Sequence, residues 1–154
     1  MKSPEQIRAM TDPLARLKAS AAYVKSAEAK VEQHRAARDM AVIVARIDQG
    51  EKPVVIYRDT LDISRNLFNR IIDRAPAVRP DIPHALTKAK VAHAKVVRVE
   101  AQIETVREIR DQTALDLMNG YADDGERVPP ISNAEVARIT GLSTARVAQL
   151  RNPA

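Results

Sequence analysis

The chain has 154 residues, with 25 Lys and Arg against 20 Asp and Glu for a net charge of +5 and a pI near 9.7. That length makes one domain or two small ones. The absence of Cys excludes a disulfide framework and thiolate chemistry, and one Phe, three Tyr and no Trp leave the core to Ala, Val, Ile and Leu, the material of a helical bundle.

No signal peptide and no apolar run long enough to span a bilayer is visible, so a cytoplasmic protein with no membrane contact is expected. The positive excess is uneven. Residues 1–79 hold fifteen Lys and Arg against ten Asp and Glu, whereas residues 80–154 hold ten of each. A basic half is consistent with phosphate contact.

In chain order, Ser3-Pro4-Glu5-Gln6 reads as a capped helix start, with Pro4 at the first helical position and Gln6 at capping-box distance, and the helix should end by Thr11. Asp12-Pro13 repeats the signal. From Leu14 to Gln49 there is no Gly or Pro, so one helix on the order of 50 Å is expected. Its apolar seam is Leu14, Leu17, Ala21, Val24 and Val31, then Met40, Ile43 and Ile47. The stretch Gln33–Asp39, nearly all polar or Ala, should face solvent or pair by charge.

Gly50-Glu51-Lys52-Pro53 breaks that helix. Val54-Val55-Ile56-Tyr57 then opens either a helix or a short strand, and Ser64 is the N-cap of a helix through Phe68 and Ile71. Ala75–Pro83, with three prolines, reads as an extended, stiff boundary. A second long helix is expected from His84 to Asn119, with a coiled-coil-like seam of Leu86, Ala89, Val96, Val99, Ile103, Val106 and Leu117. Gly120 ends it, and Asp123-Asp124-Gly125-Glu126 forms an acidic loop.

The last stretch is the most specific. Ser132 and Glu135 stand at capping-box spacing, Val136 and Ile139 give the next helix an apolar face, and Ala137 is small enough for a second helix to approach. Gly141 supplies a positive φ to stop that helix. Ser143 then caps another, in which Val147 and Leu150 turn back toward Val136, Ile139 and Leu142. Thr144, Ala145, Arg146 and Gln149 are left outward. Arg bonds guanine and Gln bonds adenine in bidentate fashion, so such a surface suits a major groove.

On Glu135-Val136-Ala137 through Thr140-Gly141-Leu142-Ser143, then Val147 and Leu150, the chain resembles the bacterial helix-turn-helix DNA-binding regulators, including sigma factor region 4 and site-specific recombinases. The resemblance implies sequence-specific duplex binding by Ser143, Thr144, Ala145, Arg146 and Gln149, with Arg151 following. Placing Ser64 on Ser143 sets Ile63, Phe68 and Ile71 on Leu142, Val147 and Leu150, and Tyr57 on Val136. A second, degenerate copy results, with Ser64, Arg65, Asn66, Asn69 and Arg70 as its DNA-facing residues. Arg58, Thr60 and Asp62 depart from Ala137, Ile139 and Gly141.

The expected architecture is therefore all-α, with two long helices each followed by a helix-turn-helix motif as an internal duplication. Its parts are 1–75, a Pro-rich linker at 76–83, and 84–154. The long helices are offset by 70 residues from Pro13 to Pro83 and the motifs by 79. His34, His84 and His93 lack metal partners at helical spacing, and Glu100, Glu104 and Glu108 with Arg107 and Arg110 read as a salt-bridged face. No enzymatic activity, metal or cofactor is expected.

The leading functional expectation is a transcriptional regulator of repressor type, from a bacterium or mobile element, reading half-sites roughly 34 Å apart. The long helices offer a homodimer seam. The alternative is a helical scaffold that docks a polymerase, a recombinase or a virion component.

Overall fold

In the computed structural model, which describes residues 1–122 and 125–153, the first helix α1 (Pro4–Arg8) starts on a reciprocal capping box. Ser3 Oγ accepts from the Gln6 amide at 3.2 Å, and Gln6 Oε1 accepts from the Ser3 amide at 2.8 Å. Two orphan donors are satisfied at once. Helix α2 (Pro13–Ile43) does not run to Gln49 in one geometry. It passes into a π-helical turn, Val44–Asp48, and a second π-helical segment, Val55–Thr60, follows the Gly50 break. Helices α3 (Arg65–Asp73), α4 (Ala85–Asn119), α5 (Asn133–Thr140) and α6 (Thr144–Arg151) complete the order.

The class is all-α. Val54–Tyr57 forms no strand, and the isolated antiparallel bridge Tyr121–Arg127 closes the loop after α4. No helix among the described residues is long and apolar enough to cross a membrane. The acidic pair Asp123-Asp124 lies outside the described residues.

Two compact units form, one from Met1–Glu28 with Ala101–Ala154 and the other from Ala29–Glu100. They do not follow the sequential halves. Each takes one end of α2 and one end of α4, running antiparallel within it. The stretch 76–83 lies inside the second unit and is fastened there. Arg79 Nε and Nη2 donate to the two carboxylate oxygens of Asp48 at 2.9 and 2.7 Å, while Gln49 bonds the Ile82 carbonyl at 2.7 Å and the Ala85 amide at 3.2 Å.

In the first unit Leu17, Ala114, Leu117, Met118, Val136 and Val147 form the core, with Val128, Ile131, Ala137, Ile139, Leu142 and Leu150 partly buried against it. Full burial of a Val, Leu or Met side chain such as Leu17, Met118, Val136 or Val147 stabilises by about 1.5–3 kcal/mol. The entry to α5 is set by Gly120, whose φ is +77°. A Cβ there would stand 2.9 Å from the Val128 carbonyl oxygen, which accepts no such neighbour because it is backbone.

In the second unit Ala41 to Ala45 of α2 and its π-helical end pack with Ile56, Leu61, Phe68, Ile71, Ala85 and Ala89. The π-helical turn moves Ile56, rather than the expected Tyr57, to the fully buried position. Tyr57 is half-buried and packs on Phe68, with ring centroids 5.5 Å apart. Ile47, expected in the seam, is exposed.

The burial patterns of the long helices match at a spacing of 72 residues, not the 70 read from Pro13 and Pro83. Leu17 and Ala89, Val24 and Val96, Val31 and Ile103, and Arg38 and Arg110 are buried in pairs. Arg38 belongs to the Gln33–Asp39 stretch, expected to face solvent or pair by charge, and Arg110 to a salt-bridged face expected in solvent. Each bonds the aspartate that follows it, but both arginines are buried.

Candidate nucleic-acid interface

The α5–α6 pair is held by local chemistry before any packing. Ser132 Oγ accepts from the Glu135 amide at 3.2 Å, but the reciprocal arm of the expected box is replaced. The Glu135 carboxylate receives both Nε and Nη2 of Arg138, at 2.9 and 2.5 Å. That pairing, with Lys18 adding to it, holds the Glu135 carboxyl below its ordinary range. Gly141 takes φ +73° and its amide closes on the Ala137 carbonyl at 2.9 Å, while Ser143 Oγ accepts from the Arg146 amide at 3.1 Å. Val136 and Val147 have no exposed surface.

Ser143, Thr144, Ala145, Arg146, Gln149 and Arg151 are all exposed on this motif. Its cations are engaged, however. Arg151 Nη2 donates to the Met118 carbonyl at 2.7 Å, which satisfies a carbonyl near the C-terminus of α4 and ties α6 to it. Arg146 faces Asp111 at 3.5 Å and Gln149 at 3.4 Å.

The first motif has the same turn by other means. Asp62 takes φ +51° where Gly141 takes +73°, a conformation open to Asp because its short polar side chain can bond the local backbone and offset the Cβ clash. Ser64 Oγ accepts from the Leu67 amide at 3.1 Å, and Phe68 and Ile71 form the underside. Arg58, at the position of Ala137, swings outward and bonds Asp59 at 2.8 Å, so it does not hold the helices apart.

Ser64, Arg65, Asn66, Asn69 and Arg70 are exposed together on α3. Among the described residues, no bond or ion pair engages the guanidinium groups of Arg65, Arg70 or Arg74. Arg74 was absent from the sequence-derived set, although its place four residues after Arg70 puts the two on one helical face. Arg70 and Arg74 line a cleft of about 230 Å³ with Asp39, Met40, Ile43 and Leu67.

Formal charge divides between the compact units as it does between the sequence halves. The unit 29–100 holds fourteen Lys and Arg against nine Asp and Glu, and the other unit holds eleven of each. The whole excess of +5 therefore lies in the unit that carries α3. Comparison with protein-family models, curated proteins and solved structures finds no match to this chain.

Proposed function

We propose that the protein binds double-stranded DNA in a sequence-specific manner, with α3 as the principal contact and α6 as the second, and acts as a transcriptional regulator of repressor type. The observation that carries this reading is the outer face of α3. Two arginines without partners among the described residues and two asparagines stand together on one capped helix whose other face is buried. Arginine and asparagine are the side chains that bond guanine and adenine edges in pairs, and unpaired guanidinium groups also neutralise phosphates. Their unit carries the positive excess, which draws a polyanion toward it. Occupancy of a promoter by such a body is enough to repress, so this reading needs nothing beyond binding.

The test is selection from a random duplex pool followed by gel shift at moderate salt. A common sequence is expected to emerge and to be retained over random duplex. Retention of no duplex rejects the reading and leaves a helical scaffold.

A further inference from the structure

Resting on the duplex-binding reading, we propose that Asp111 is a positioning residue that aims Arg146 at a base edge and keeps it from serving as a general phosphate clamp. The carboxylate is divided between two guanidinium groups. Its Oδ1 accepts from Nε and Nη2 of Arg110, each at 2.8 Å. Its Oδ2 faces Nη2 of Arg146 at 3.5 Å, and Nη1 of Arg146 reaches Oε1 of Gln149 at 3.4 Å. A row of four side chains thus runs from inside the unit to the outer face of α6.

The inner end of that row is fixed. The Arg110 side chain is only 8% exposed, so its charge depends on Asp111, and the carboxylate cannot turn away to follow a mobile partner. Arg146 is held by its two long contacts but is 51% exposed, so its guanidinium still faces solvent. A guanidinium already restrained on one side loses less rotamer freedom when it docks.

The second unit provides the contrast. Arg38 holds Asp39 in the same manner, with Nε at 2.9 Å and Nη2 at 2.8 Å. The α3 residue aligned with Arg146 is Leu67, and among the described residues no α3 arginine bonds Asp39. The two motifs are therefore built for different tasks, with free arginines on α3 and both arginines of α6 engaged, Arg146 by Asp111 and Arg151 by the Met118 carbonyl.

The experiment compares the full-length chain with Asp111→Asn and Asp39→Asn, using the duplex recovered by wild-type selection and a random-sequence duplex of equal length. Asp111→Asn is expected to narrow the preference for the selected duplex by about two- to fivefold, the scale of one exposed ion pair. It should also steepen the log–log salt dependence by about 0.9 as Arg146 takes a phosphate. Asp39→Asn should change neither. An Arg146→Gln background should abolish the effect of Asp111→Asn.

An unchanged preference and salt slope in Asp111→Asn, with wild type still selecting a sequence, overturns the role of Asp111 and leaves duplex binding standing. Failure of wild type to select any sequence overturns both. Should Asp111→Asn not fold, arginine side-chain NMR of the wild type decides instead. Slower guanidinium rotation in Arg146 than in Arg65 is expected, and equal rotation overturns the proposal.

Discussion

Nε of Arg16 donates to Oγ1 of Thr113 at 2.9 Å, joining residues 97 positions apart, and both side chains are buried. The same guanidinium gives Nη1 to the Met10 carbonyl at 3.0 Å. The start of α2 is thereby pinned to the end of α4 beside the core that carries α5 and α6.

Thr113→Val keeps the shape and removes the acceptor. A buried hydrogen bond to a charged group is lost, so urea denaturation should show a cost of about 1.5–3 kcal/mol. A change within the error of the midpoint would show that this bond contributes nothing net.

Gly120 and Gly141 both hold positive φ, but nothing stands within 4 Å of a Cβ built on Gly141. Gly141→Ala should therefore cost only the conformational strain, about 1–2 kcal/mol. Gly120→Ala adds a backbone collision with Val128 and should cost distinctly more. Paired thermal melts of the two variants give the order.

The caps at Ser64 and Ser143 each accept one amide bond at 3.1 Å. Ser64→Ala and Ser143→Ala should each destabilise by about 1 kcal/mol, with additive effects in the double variant because the sites share no partner. Chemical denaturation of the three variants measures this.

On duplex binding, Arg65→Ala or Arg70→Ala should lower the log–log salt slope by about 0.9 if the residue contacts a phosphate. If it reads a base, the loss should instead be confined to the selected sequence, at about 1–3 kcal/mol. Arg138→Ala should alter neither quantity, since that guanidinium is spent on Glu135. Fluorescence anisotropy across a salt series distinguishes these outcomes.

Nδ1 of His93 is buried and has no hydrogen-bond partner among the described residues. Burial holds the imidazole below its ordinary pKa of 6.5, and the Arg38 charge adds to this while Glu100 and Asp62 oppose it. The unfolded chain thus takes up a proton at a higher pH than the folded one. This contribution to stability is complete above about pH 6.5 and is lost as pH falls below it. His93→Leu should flatten the stability profile between pH 7 and pH 5. The lowered carboxyls Glu5, Asp48 and Glu135 titrate at more acid pH and leave that window clear.

What the sequence by itself determined is local. Ser3, Ser64, Ser132 and Ser143 cap helices because a short side-chain oxygen reaches an amide three residues on, whatever else surrounds it. The breaks at Gly50, Gly120 and Gly141, the all-α class, and the outward placement of Arg65, Asn66, Asn69, Arg70, Thr144, Arg146 and Gln149 were legible for the same reason: each depends on neighbours within a helical turn or two.

Only the tertiary structure decided which charges are free. The Arg38-Asp39 and Arg110-Asp111 dipeptides read as solvated or charge-paired positions, and each arginine does pair with the aspartate after it, yet both are buried, which no spacing along the helix reveals. Arg151 and Arg146 look as available as Arg65 and Arg70 until the Met118 carbonyl and the Asp111 carboxylate arrive beside them. The π-helical turn that carries the buried Ile56, in one cluster with Leu61 and Phe68, likewise has no signature in the local spacing. Pairing across 97 residues is a matter of shape and burial, and no spacing rule along the chain carries it.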